Sequence, residues 1–125
     1  MKIFFDGGCR PNPGRMEAAN VAAGRTHILE DLGEGTSEEA EWLALIHALR
    51  VARELDRRAG APLVLLGDAA GVVAQANGTA RVRGIGTRHF GTFHSLYAEA
   101  GMPRIRHIGR SQNLAGIALA RRHER

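Results

Sequence analysis

Leu63-Val64-Leu65-Leu66 is an apolar run without alternation, and it ends at Gly67-Asp68. A strand with one face in water alternates apolar and polar residues. An unbroken run of this length belongs to a strand covered on both faces, as in the centre of an α/β sheet. Ala69 to Gln75 reads as a helix leaving that strand. A carboxylate at the carboxyl end of a central strand, opening into a helix, lies on the edge where α/β sheets bind ligands. The 125 residues are enough for one domain, 1–125, with a real core.

A second acid is delivered in a similar way. Lys2-Ile3-Phe4-Phe5 is a strand that places Asp6 before Gly7-Gly8-Cys9 and the turn-rich Arg10-Pro11-Asn12-Pro13-Gly14. Phe4 and Asp6 are two residues apart and share a face of the strand. Glu17 to Gly24 and Arg25 to Leu32 follow as two more strands, with a tight turn at Gly24-Arg25, giving an antiparallel meander. Alone, an acid before Gly-Gly is an ordinary strand end.

Thr36-Ser37-Glu38-Glu39 starts a helix with the spacing of a capping box, which assigns Glu39 a structural role. The helix is expected to run to about Arg58, with Leu45, Ala48, Leu49, Ala52 and Leu55 as its apolar stripe. Glu41 continues that stripe into the first turn, so an acid stands on the buried side of a helix start. The helix dipole offsets only part of its desolvation. Gly60-Ala61-Pro62 breaks the chain before the central strand. After a loop from Gly78 to Gly86, a helix spans Thr87 to Ala100, with Phe90, Phe93, Leu96 and Tyr97 at core spacing. Arg104 to Ile108 forms a last strand and Gln112 to Arg122 a last helix. The order is β-β-β-α-β-α-α-β-α, an α/β fold with a five-stranded mixed sheet flanked by helices.

Charge is distributed unevenly. Residues 1–80 carry 8 Lys+Arg and 11 Asp+Glu, whereas 81–125 carry 9 Arg against Glu99 and Glu124. An acidic half bearing potential metal ligands and a basic half suited to phosphates fit a nuclease, although surface arginines also serve solubility. No apolar run reaches the length of a membrane span, the start lacks a signal-peptide pattern, and Cys9 has no second cysteine to pair with. A cytoplasmic, monomeric protein with no membrane partner is expected.

If the first and fourth strands are parallel neighbours, Asp6 and Asp68 lie side by side and the first helix can bring Glu41 across them. Clustered carboxylates repel one another unless a divalent cation neutralises them, and hard oxygen donors favour Mg²⁺ or Mn²⁺. The order and spacing of these acids carry more information than any one of them.

The chain resembles the type 1 ribonuclease H family over nearly its whole length. The resemblance lies in Phe5-Asp6-Gly7-Gly8-Cys9 with Asn12-Pro13-Gly14, in Thr36 followed by Glu41-Trp42-Leu43-Ala44-Leu45-Ile46-His47-Ala48-Leu49, and in Leu65-Leu66-Gly67-Asp68 with Val72. His107-Ile108-Gly109-Arg110-Ser111-Gln112-Asn113, running into Leu119-Ala120, completes it. The resemblance implies an endonuclease that cleaves the RNA strand of RNA–DNA hybrids with two metal ions. It makes Asp6, Glu41 and Asp68 the metal-binding catalytic acids. Gly7, Arg10, Asn12 and the backbone around Cys9 would meet the hybrid's minor groove, where 2′-hydroxyls mark RNA. Thr36 and Ser37 would hold a DNA-strand phosphate at the helix start, and Arg110 would stand near the scissile phosphate.

One departure concerns the metal site. The family's Asn-x-x-Ala-Asp-x-Leu-Ala reads here Asn113-Leu114-Ala115-Gly116-Ile117-Ala118-Leu119-Ala120, so Ile117 stands where a fourth carboxylate belongs. A weakly bound second ion is therefore expected. Asn113 is the nearest replacement ligand through its amide oxygen, or else a helix N-cap, the reading preferred here. An impaired enzyme that only binds nucleic acid, or a nuclease with another nucleic-acid substrate, is the alternative. The basic protrusion of longer members is missing, and Arg81, Arg83 and Arg88 are expected to form a smaller phosphate-binding patch.

Overall fold

The computed structural model describes residues 1–55 and 62–123. Its strands are β1 (Lys2–Cys9), β2 (Gly14–Ala22), β3 (Arg25–Leu29), β4 (Glu34–Gly35), β5 (Val64–Gly67) and β6 (Arg104–His107). Its helices are α1 (Ser37–Glu54), α2 (Ala70–Ala76), α3 (Gly86–Glu99) and α4 (Leu114–Arg122), with a 3₁₀ turn at Arg110–Gln112 before α4.

The sheet runs β3-β2-β1-β5-β6, with β4 beside β2. β1 to β3 form the expected antiparallel meander, and β5 lies parallel to β1 and to β6. The expected five strands are thus joined by a sixth, because Glu34–Gly35 returns to pair with Gly14–Arg15. β2 consequently starts three residues earlier than its composition suggests. The β2–β3 turn falls on Ala23-Gly24, where φ is 51° and 75°. Positive φ at both central residues is the turn whose twist suits a two-residue hairpin.

Leu65 and Leu66 are both buried, as a strand covered on two faces requires. On one side Ile3, Phe5, Leu65 and Ile105 pack with Trp42, Leu45 and Leu49 of α1, Val72 and Val73 of α2, and Phe93 of α3. Trp42 meets Phe93 edge-on with ring centroids 5.7 Å apart, and Phe93 stacks on Tyr97 at 5.1 Å, so the aromatics of α3 are core. On the other side Ala115 and Leu119 of α4 pack on Ala19, beside Phe4, Val21 and Ile28.

α1 ends at Glu54, and Leu55 is already extended. The expected continuation to Arg58 and the break at Gly60-Ala61 lie outside the described residues. Thr36 caps α1 by accepting the Glu39 N–H at 3.2 Å. The reciprocal arm of a capping box is not made, since the Glu39 carboxylate takes His89 Nε2 at 2.7 Å instead. The last helix is divided where one piece was expected: Asn113 sits between the 3₁₀ turn and α4 and caps the latter.

Candidate active site

β1 and β5 run in parallel, with Phe4 beside Leu66, so Asp6 and Asp68 leave neighbouring strands on the same edge of the sheet. Glu41 reaches them because α1 approaches β1 unusually closely. A Cβ at Gly7 would lie 2.2 Å from both the carbonyl carbon and the oxygen of Ala40. Only glycine permits that packing. The Gly7 N–H then donates to Glu41 Oε1 at 2.7 Å and fixes the carboxylate's direction. One oxygen from each of Asp6, Glu41 and Asp68 lies within 4.8 Å of the others.

Such crowding has an electrostatic consequence. Burial, followed by the charge of Asp68, pushes the Asp6 carboxyl up to about 7. Glu41 is pushed up to about 9, by burial first and Asp6 second, against the opposing Gly7 hydrogen bond. Without a cation, these acids hold protons well above the usual carboxylate range. The site therefore fits a divalent cation on two counts: the donors are hard oxygens at converging positions, and their charge is otherwise uncompensated.

The acids open on a cleft of about 430 Å³ lined also by Gly8, Cys9, Arg10, Glu17, Ser37 and Arg110. Gly116 and Ile117 of α4 form part of its wall. A Cβ at Gly116 would come 3.3 Å from Asp6 Oδ2, so the glycine leaves the carboxylates uncovered. Ile117 is half-buried and offers no ligand.

Asn113 does not replace the missing carboxylate. Its Oδ1 accepts the Ala115 N–H at 3.1 Å, while Nδ2 donates to Phe5 O and to Asp68 Oδ2, each at 3.0 Å. The amide oxygen, its only hard donor, is turned into the helix cap. Asn113 is therefore the helix cap preferred from the sequence, and by also holding Asp68 it is a buried positioning group and not the replacement ligand.

The other expected contacts are distributed unevenly. Arg10 and Arg110 are exposed in the cleft. The Cys9 thiol points inward and donates to Pro11 O and Gly35 O, leaving only its backbone for a ligand. Asn12 turns toward α1, where its Oδ1 accepts the Ser37 N–H at 3.1 Å. The Ser37 amide, expected to help receive a phosphate, is thus engaged inside the protein, as is the Glu39 N–H held by Thr36. A ligand would have to displace Asn12 to reach Ser37. Arg88 pairs with Glu39 at 3.5 Å, whereas Arg81 and Arg83 are exposed.

Glu17 was not singled out by sequence reasoning, having been read only as a strand residue. Its signal is weak but present: a lone acid opens the otherwise small and apolar run Ala18-Ala19-Asn20-Val21-Ala22-Ala23.

Fold and site together define an α/β protein of the ribonuclease H-like class. No protein-family model and no curated protein matches the sequence. Among solved structures, ribonuclease H1 from the halophilic archaeon Halobacterium salinarum NRC-1 is 27% identical, covering 94% of this chain and 92% of that one at a TM-score of 0.78. LC11-RNase H1, solved in complex with an RNA/DNA hybrid, is 26% identical over 90% of this chain and 88% of that one, at 0.74. The N-terminal ribonuclease H domain of rv2228c from Mycobacterium tuberculosis is 27% identical, covering 94% and 93%, at 0.70. Within that class, the chain is similar to type 1 ribonuclease H domains over nine-tenths or more of its length.

Proposed function

We infer that the protein is a divalent-metal-dependent endoribonuclease that cleaves the RNA strand of RNA–DNA hybrids. The observation that carries this reading is the convergence of Asp6, Glu41 and Asp68 at one sheet edge, with their oxygens within 4.8 Å of one another. The likeness to a ribonuclease H1 solved with an RNA/DNA hybrid supports the substrate class.

Asp6, Glu41 and Asp68 would hold Mg²⁺ or Mn²⁺. Held there, two such ions would supply activation of the attacking water and stabilisation of the leaving oxygen. The chain's own residues prepare the rest. The Gly7 N–H aims Glu41, and Asn113 aims Asp68. Arg110 offers its guanidinium to the phosphate beside the acids. The backbone from Gly7 to Cys9, with Arg10, lies where a minor groove carrying 2′-hydroxyls would pass. With Ile117 in the wall, the second ion is held more weakly than the first.

The deciding experiment is cleavage of a labelled RNA–DNA hybrid at low salt in Mg²⁺ and in Mn²⁺, beside Asp68→Asn. Metal-dependent cutting of the RNA strand, lost in the variant, is expected. No cutting with the hybrid still bound would make this a nucleic-acid-binding domain, the reading that Ile117 favours. Cutting of double-stranded RNA or single strands in preference to the hybrid would reassign the substrate.

A further inference from the structure

The acid absent from α4 has a counterpart on β2. In the β1–β2 pairing, Asp6 stands opposite Ala19 and Gly8 opposite Glu17. Opposed residues of an antiparallel pair share a face, so Glu17 and Asp6 are diagonal neighbours on the side covered by α4. Nothing stands between them along the strand, because Gly8 has no side chain. A Cβ there would lie 3.8 Å from both Cγ and Oε1 of Glu17 and 3.9 Å from Leu119 Cδ1. The Glu17 side chain thus lies beside Gly8 and lines the same cleft as Asp6, Glu41, Asp68, Gly116 and Ile117.

Its present partners come from the end of α4. His123 Nε2 lies 2.6 Å from Oε1, and Arg122 Nε lies 3.5 Å from Oε2. Arg122 is shared, since it also donates to Glu30 at 2.7 Å. Both partners lie partly in solvent, with side chains 31% and 34% exposed. Glu17 itself is only 13% exposed, and its two oxygens are held one by each of these side chains.

We propose that Glu17 is the fourth carboxylate of the cation-binding cleft, acting from β2 through the water shell of the second divalent ion, where Ile117 has left α4 without an acid. The proposal rests on the metal-nuclease reading above. It makes Glu17 a positioning residue for the ion and its waters, with His123 and Arg122 as resting partners.

Mn²⁺ titration of the full chain by calorimetry, alongside thermal melts with and without Mn²⁺, tests it in wild type, Glu17→Gln, His123→Ala and Asp68→Asn. Glu17→Gln is nearly isosteric and is expected to weaken the second Mn²⁺ by roughly tenfold, the scale of losing a group that holds a metal's ligands or waters in place, and to reduce the Mn²⁺-induced rise in Tm. His123→Ala removes the resting partner while leaving the carboxylate, so Mn²⁺ affinity is expected to hold or rise. If Glu17→Gln binds Mn²⁺ as wild type does, or if His123→Ala weakens binding as much, Glu17 merely fastens α4 to β2 and the proposal falls alone. If wild type binds no Mn²⁺, the metal reading falls with it. An Ile117→Asp background supplies a second measure: with an acid restored on α4, the loss caused by Glu17→Gln is expected to shrink.

Discussion

Gly7 and Glu41 are joined by a 2.7 Å hydrogen bond from the glycine N–H to Glu41 Oε1, where α1 approaches β1 backbone to backbone. The same missing side chain that admits the helix also exposes the amide that aims the carboxylate. Fold and site are therefore decided by one residue, 34 positions away from its partner.

Gly7→Ala should show this directly. Its Cβ would meet the Ala40 carbonyl at 2.2 Å, and the contact is backbone, which yields less readily than a side chain. Overpacking of this kind costs about 1–3 kcal/mol. A lowered urea midpoint together with weakened cation binding is the expected outcome. An unchanged midpoint would show that the start of α1 is free to move.

The raised acids give a pH dependence with a definite sign. Asp6 and Glu41 keep protons in the folded state up to about 7 and about 9, whereas in the unfolded chain they release them near 4. Between those limits the folded state binds more protons, so stability falls as pH rises. In chelator, Tm is expected to decline from about pH 5 to pH 9, most of it below the upper folded value. Mg²⁺ or Mn²⁺ should flatten that decline by neutralising the ionised carboxylates. A Tm in chelator that does not move over this range would contradict the crowding of these acids.

Asp6→Asn extends the same argument. It removes one of the mutually repelling charges, so Tm in chelator at pH 8 should hold or rise while hybrid cleavage disappears. Loss of both stability and cleavage would mean that Asp6 is needed for the fold itself.

Asn113→Ala should damage both fold and site. The change removes a cap worth about 0.5–2 kcal/mol, and leaving the buried Phe5 carbonyl unpaired costs a further ~1–3 kcal/mol. Asp68 also loses the donor that holds it. Equilibrium unfolding and the Mg²⁺ concentration for half-maximal cleavage should therefore both change. Destabilisation with an unaltered Mg²⁺ requirement would limit Asn113 to capping.

Ile117→Asp tests the missing acid. The side chain lies in the cleft wall, so an added carboxylate should lower the Mg²⁺ requirement for cleavage by roughly tenfold. It should also steepen the fall of Tm with pH in chelator, because another acid joins the cluster. If the Mg²⁺ requirement stays the same, the side chain at 117 does not face the ions.

What could be read from the sequence was local or periodic. The unalternating run before Asp68 marks a buried strand and Thr36 marks a helix start, while bringing the acids at 6, 41 and 68 together takes the assumption of parallel first and fourth strands and the family resemblance. What escaped were choices between partners distant in the chain. Glu39 has the spacing of a capping box, yet His89, 50 residues on, takes its carboxylate. Asn12 sits in a turn whose composition says nothing of Ser37, and Glu17 looks like any strand residue until His123 and Gly8 are placed beside it. Asn113 was legible as a cap, but its hold on Asp68 depends on β5 lying next to β1.

The bond from Asn113 to the Phe5 carbonyl spans 108 residues, linking the first strand to the cap of the last helix. Closing so large a loop is slow and comes after local structure has formed. Asp68 thus gains its Asn113 donor only after the first strand and the start of α4 have met. Completion of the acid cluster's support is in this sense a late, long-range step of folding.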